Sequence, residues 1–305
     1  MPPPVNVTPS RFGYNANRRQ VSEPLHLLRL LDHCPTLVEL KIATKETIFI
    51  SSHHHGTYPS IRHLEIRYNS PTCENPLHPF NIKRHISPAL FNHFPRLHLL
   101  VLWYPQPRYH DMQTIFQYCP MLQELFLGGI QNYSLADGTK TSQQGLRLLS
   151  LHSPSSQGLL ISRLLKAHST TLESLVMECV GPWTSPAGFM MNEHVVLPQL
   201  RSLELSFKGV VYEQPLTAFL CLISQRCPSL QKLTLKFHCF SFNIQWILPL
   251  ARHGKLKKMV IASKVFPDNI STLLQHFNRL QAFDLKLKTI DRRGLLIDIP
   301  PSRLL

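Results

Sequence analysis

Acidic residues are scarce: 18 Asp and Glu stand against 32 Lys and Arg in 305 residues, and charged residues of both signs make up only 16%. A charged fraction this far below the usual quarter excludes a disordered polyelectrolyte. Long apolar runs are missing as well. None approaches the roughly 20 residues that a helix needs to cross a bilayer, so no membrane span is expected. The opening Met1-Pro2-Pro3-Pro4 lacks the basic and apolar stretches of a secretory leader, and the sequons at Asn6, Asn132 and Asn269 are therefore expected to stay unmodified. Seven cysteines is an odd number, and none has paired zinc spacing. Reduced, mostly buried thiols in the cytosol or nucleus are the expectation. The motifs of catalysis are absent too: no Gly-x-Ser-x-Gly, no glycine-rich phosphate loop, no His-Glu-x-x-His and no close carboxylate pair. No enzyme, catalytic residue, metal or cofactor is expected.

What the chain does have is a period. The pattern apolar-x-x-apolar-x-apolar occurs ten times, starting at Leu37, Ile61, Leu97, Leu122, Leu146, Leu172, Leu200, Leu230, Leu256 and Leu280. Successive starts are 24 to 36 residues apart, a spacing that scattered leucines would not keep. Pro lies two positions before the first apolar residue at Pro35, Pro59, Pro95, Pro120, Pro198 and Pro228. Apolar pairs such as Leu30-Leu31, Leu90-Phe91, Ile115-Phe116 and Leu273-Leu274 precede many of these turns. Each unit reads as a short amphipathic helix, a Pro-marked turn and a short strand, because Pro cannot continue a helix and biases its predecessor away from one. A single unit buries too little to stand alone, so stacked units are expected to pair their strands in parallel with helices on the outer side. In Leu40-Lys41-Ile42 the alternation then turns Leu and Ile inward and Lys41 to the open inner face. Residues 1–22 read as a flexible tail, 23–290 as the repeat domain and 291–305 as a cap or tail. The stretches Ser51–Ser60, Tyr68–Ser87, Gly128–Gln144 and Gly181–Val196 read as irregular insertions.

The blocks His33-Cys-Pro-Thr-Leu-Val-Glu-Leu, Tyr118-Cys-Pro-Met-Leu-Gln-Glu-Leu and Arg226-Cys-Pro-Ser-Leu-Gln-Lys-Leu resemble the cysteine-containing leucine-rich repeats of the F-box/LRR family. The likeness covers about residues 24–290. It implies a curved α/β leucine-rich-repeat solenoid of about ten repeats, with a parallel sheet inside and helices and loops outside. It also implies a non-catalytic, substrate-selecting subunit of a Skp–cullin–F-box ubiquitin ligase, with the Skp adaptor and cullin as partners. The family's F-box precedes the repeats, and nothing in Met1–Pro24 resembles it. Either it has been lost from the start of this sequence or this relative does not bind the adaptor.

Two surfaces follow from the strand alternation. Leu99, Val101, Trp103, Phe126, Leu148 and Val176 are inner-face positions on successive strands and form either an apolar candidate site for a protein ligand or a patch that an insertion, Tyr68–Ser87 or Gly128–Gln144, folds over and buries. The second surface is basic: 13 cationic and 3 acidic residues lie between Arg226 and Arg293, which accounts for +10 of the net +14. There Lys232, Lys236, Lys258 and Lys286 share the inner face, flanked by Lys255 and Lys257, and favour an acidic or phosphorylated partner segment. A repeat scaffold without a ubiquitin role, holding nucleic acid or an acidic partner through this end, is the alternative. Nucleic acid is the lesser expectation, since no aromatic residues are interleaved for base stacking. His33, His93, His168, His253 and His276 fall where helices end and are expected to serve structure. The run His53-His54-His55 is a weak metal signal.

Overall fold

The computed structural model describes residues 11–15, 27–44, 56–68, 88–103, 109–128, 132–134, 145–152, 158–179, 195–208, 211, 213–238, 244–263, 275–277, 279–290 and 296–298. The His53–His55 run, the Leu273-Leu274 pair, Pro300–Leu305 and most of the four expected insertions lie outside these residues. The chain divides into two compact units, Met1–Leu146 and Arg147–Leu305.

The first unit holds β1 (Arg11–Asn15), α1 (Leu27–Asp32), β2 (Glu39–Thr44), β3 (His63–Tyr68), a 3-10 helix (Pro88–His93), β4 (Leu99–Trp103), β5 (Tyr109–Asp111), α2 (Met112–Tyr118), β6 (Glu124–Gly128) and β7 (Asn132–Ser134). Strands β1, β2, β3, β4 and β6 pair in parallel in that order, and β5 pairs in parallel with β7. The second unit holds β8 (Leu148–His152), α3 (Gly158–Ala167), β9 (Ser174–Cys179), β10 (Ser202–Phe207), α4 (Glu213–Arg226), β11 (Lys232–Phe237), a 3-10 helix (Ile244–Arg252), β12 (Lys258–Ser263), β13 (Ala282–Ile290) and β14 (Leu296–Asp298). Here β8 to β13 run parallel in chain order, and β14 returns antiparallel on β13. The architecture is α/β, built on parallel strands. Two strands fall in stretches read from the sequence as tails: β1 within residues 1–22 and β14 within 291–305. Pairing through the main chain needs no apolar triplet, so neither strand carries the repeat's signature.

The recurring prolines have a local cause. The N–H of the first apolar residue of a triplet closes a turn onto the carbonyl three residues back: Leu37 to Cys34, Ile61 to Tyr58, Leu97 to Phe94, Leu122 to Cys119 and Leu230 to Cys227, each at 3.1 Å. Pro35, Pro59, Pro95, Pro120 and Pro228 occupy the second position of these turns, where a φ fixed near −65° is preferred. The residue opening the turn points into the core at Tyr58, Phe94, Cys119 and Cys227, all buried. That position accepts a small or aromatic apolar group, and burial pushes the Cys119 and Cys227 thiols up to about 12. Cys34, in the same position of its own turn, is exposed.

Beyond the turn, the second and third apolar residues alternate with outward ones. Leu40, Ile42, Leu64, Ile66, Leu100, Leu102, Leu125 and Leu127 fill the first unit's core, and Leu149, Leu175, Leu203, Leu205, Leu233, Leu235, Met259 and Ile261 the second's. Helices supply the rest of the core: Met112, Ile115 and Phe116 from α2, Leu164 and Leu165 from α3, Leu216, Phe219, Leu220 and Ile223 from α4. Register is locked where each strand begins, since two successive N–H groups share one carbonyl of the preceding strand. Arg62 and His63 both reach Val38 (2.9 and 3.2 Å), and Gln231 and Lys232 both reach Arg201 (2.9 Å each).

The helix-end histidines do not share one role. His93 Nδ1 bonds the Gly56 carbonyl (2.5 Å) and His253 Nε2 the Cys227 carbonyl (2.8 Å), each tying one turn to another within its unit. His168 is 1% exposed, and burial lowers its pKa to about 4. His33 and His276 are exposed. Among the described residues no helix is long and apolar enough to cross a membrane.

Candidate functional site

Parallel register with a two-residue side-chain period sorts the residues that alternate with the core side chains into rows that cross the strands at about 4.8 Å per step. In the first unit, from where the strands start to where they end, the rows are Glu39–His63–Leu99–Glu124, Lys41–Glu65–Val101–Phe126 and Ala43–Arg67–Trp103–Gly128. In the second they are Leu148–Ser174–Ser202–Lys232–Lys258–Ala282, Ser150–Val176–Glu204–Thr234–Val260–Asp284 and His152–Glu178–Ser206–Lys236–Ala262–Lys286. In the second unit Ser150, Ser206, Thr234, Val260 and Ala262 of these rows are themselves buried.

Four of the six apolar candidates come together in the first unit. Leu99 and Val101 on β4 and Phe126 on β6 are half-buried, and Trp103 at the end of β4 is 41% exposed. Trp103 is held in place by Gly128, its register partner. A Cβ built on Gly128 would lie 2.1 Å from the indole Cε3, so the ring rests where any other residue would carry a side chain. Arg67, on the other side of Trp103, is engaged by Glu65, and Lys41 contacts Glu39 (3.0 Å) and Glu65 (3.8 Å). Lys41 and Arg67 are thus both engaged by acids of their own face. Leu148 and Val176, the remaining two candidates, lie in the second unit on adjacent strands β8 and β9, one row apart, and both are half-buried.

The four basic candidates separate into two kinds. Lys236 meets Glu204 across the β10–β11 pair (2.5 Å), and Lys286 meets Asp284 on its own strand (3.8 Å). Lys232 and Lys258 are exposed direct register partners, and among the described residues no acid pairs with either. Lys255 and Lys257 are exposed beside them.

One constellation escaped the sequence reading. Ser150 Oγ lies 3.2 Å from His152 Nε2, and His152 Nδ1 lies 3.5 Å from Glu178 Oε2. Lys208 Nζ reaches the other carboxylate oxygen of Glu178 (2.6 Å). The His152 hydrogen bond lowers the Glu178 carboxyl most, and with Lys208 it brings the pKa to about 2 against the opposing effect of burial. Hydroxyl, imidazole and carboxylate stand in the order of a nucleophile relay. Ser150 is 1% exposed, however, so its hydroxyl does not meet a substrate in this arrangement. The group works as a cross-strand polar tie. A second tie joins Ser206 Oγ to His238 Nε2 (3.0 Å). No sequence signal marks either, because the partners stand a full repeat apart or share a strand with core leucines.

Searched against protein-family models, the chain matches none, and no curated protein matches it significantly. Its chemistry is therefore read from these rows. They offer exposed side chains on rigid strands, an indole fixed against a glycine backbone and a pair of adjacent ammonium groups.

Proposed function

We propose that the chain is a leucine-rich-repeat solenoid acting as a non-catalytic protein-recognition module, and that it selects substrates for an SCF-type ubiquitin ligase. The observation that carries recognition is Trp103, an exposed large aromatic seated on Gly128 and sharing its face with Val101, Leu99 and Phe126. An indole fixed before the partner arrives loses little conformational freedom on binding, which is why Trp is enriched among residues that dominate binding energy. The ligase assignment is supported by the resemblance of the Cys-Pro-x-Leu blocks at Cys34, Cys119 and Cys227 to the F-box/LRR repeats.

Affinity capture of the natively tagged protein, probed for the Skp adaptor and cullin, tests the ligase role. Recovery of both supports it. Recovery of other partners with neither of these leaves a repeat scaffold and removes the ubiquitin role. Trp103→Ala combined with Phe126→Ala is expected to weaken partner capture at least about tenfold with a nearly unchanged melting transition, as befits loss of an aromatic anchor. Gly128→Ala should give a similar loss by displacing the ring. Undiminished capture by both variants would show that the ligand docks elsewhere.

A further inference from the structure

From the second unit we infer a docking edge for an acidic, extended peptide segment where strands β10 to β13 begin. The inference rests on the protein-recognition reading above and gives it a second surface and a ligand chemistry.

Lys232 and Lys258 stand directly opposite each other on β11 and β12. Like charges in register across a strand pair are unfavourable, and elsewhere on these rows or just beyond them cations are answered by acids. Lys236 has Glu204, Lys208 has Glu178 and Lys286 has Asp284. On these rows the acids Glu204, Asp284 and Glu178 thus lie one or two rows further along the strands, while the first row carries Ser202, Lys232, Lys258 and Ala282 with no acid among them. Glu173, just before β9 and beside Arg201 on the edge, meets Arg147 (3.6 Å). An anionic ligand laid along this row would relieve the repulsion that the fold leaves in place.

The residues just before the strands sharpen the choice of ligand. The shared-carbonyl ladder sets Arg201, Gln231, Lys257 and Gln281 side by side, for Gln231 donates to Arg201, Lys257 to Gln231 and Gln281 to Lys257 (2.9, 2.9 and 2.8 Å). All four are exposed. Cation and amide therefore alternate along the edge. A carboxamide both donates and accepts, whereas a phosphodiester backbone only accepts. A peptide backbone uses both halves of each Gln, and its carboxylate side chains use the Lys and Arg ammonium and guanidinium groups. No aromatic residue stands among these edge residues to stack a base. The chemistry favours an acidic peptide over a nucleic acid.

Fluorescence anisotropy of the full chain with a labelled poly-glutamate peptide tests this, with labelled oligouridylate as the competing probe. The peptide is expected to bind at low salt. Lys232→Glu with Lys258→Glu should weaken it about tenfold or more, with an unchanged melting curve because both side chains are exposed. Gln231→Ala with Gln281→Ala should weaken the peptide while sparing any oligouridylate binding, a split that general electrostatic attraction would not produce. Lys41→Gln, in the first unit, should leave the peptide's affinity unchanged. The inference fails if the peptide does not bind, if the double charge reversal has no effect, or if both glutamine changes are silent. It also fails if oligouridylate binds more tightly and loses affinity steeply between about 50 and 200 mM salt. The recognition reading fails separately: peptide binding that persists in a chain whose Trp103 and Phe126 changes alter no capture would remove the indole site and keep this one.

Discussion

The two units use one backbone device and finish it differently. In both, a turn places the strand, the strand buries alternate apolar residues, and the remaining side chains form rows. On the first unit's rows Lys41 and Arg67 are answered by Glu39 and Glu65, and what is left to offer is the apolar group around Trp103. On the second unit's rows the acids sit on the middle and last rows, and what is left over on the first is charge at Lys232 and Lys258. Under the recognition reading proposed above, the difference means that binding character would be set by which outward positions lack a neighbour of complementary chemistry. Composition alone does not decide it: the four candidate lysines divide evenly between paired and available ones.

The hardest way to break the comparison is to damage what the units share. Leu100→Ala in the first unit and Leu233→Ala in the second each remove a fully buried side chain from equivalent strand positions. Each should cost about 2–5 kcal/mol in its own unit, read as lost hydrogen-exchange protection across the neighbouring strands. A loss smaller than about 1 kcal/mol at either site would mean that its core is not close-packed.

How much of this was legible in the sequence depends on the distance over which the cause acts. The triplets were legible because their period is local, and Leu100, Leu125, Leu203 and Leu233 all lie buried on strands in the expected phase. The Pro-marked turn was legible for the same reason. The apolar candidates were identifiable one strand at a time, but Gly128 as the seat of Trp103 was not, since that contact needs the register between β4 and β6. Lys236 looked as available as Lys232 because its partner Glu204 lies on a different repeat. His152 and Glu178 were missed for the same reason. Strand β1 went unrecognised because Arg-Phe-Gly-Tyr-Asn carries no triplet and joins β2 by main-chain pairing.

A pH experiment separates burial from surface charge. His168 is buried in the second unit, and its pKa is lowered from 6.5 to about 4. The unfolded chain therefore binds a proton between these values that the folded chain refuses, so stability is full above about 6.5 and falls as pH drops toward 4. The loss from this residue alone is roughly 3 kcal/mol. His168→Gln should flatten the profile over that window while lowering stability at neutral pH, because an amide replaces a packed imidazole. A variant whose acid profile matches the parent's would place the acid sensitivity elsewhere.

The smallest expected effect bears most directly on the contrast between the two faces. If Lys232 and Lys258 repel each other in register, replacing one of them by Gln should raise the melting temperature slightly, by about 1 °C at low ionic strength. The gain should vanish in high salt, where exposed charges are screened. Lys41→Gln in the first unit should move the other way, since it removes the cation that meets both Glu39 and Glu65, diagonal neighbours across β2 and β3. Opposite signs for the same chemical change on the two units would show that one face was completed within the fold and the other left open to an anionic partner. Equal signs would mean that Lys232 and Lys258 are as well compensated as Lys41, and the acidic segment would then have no repulsion to relieve.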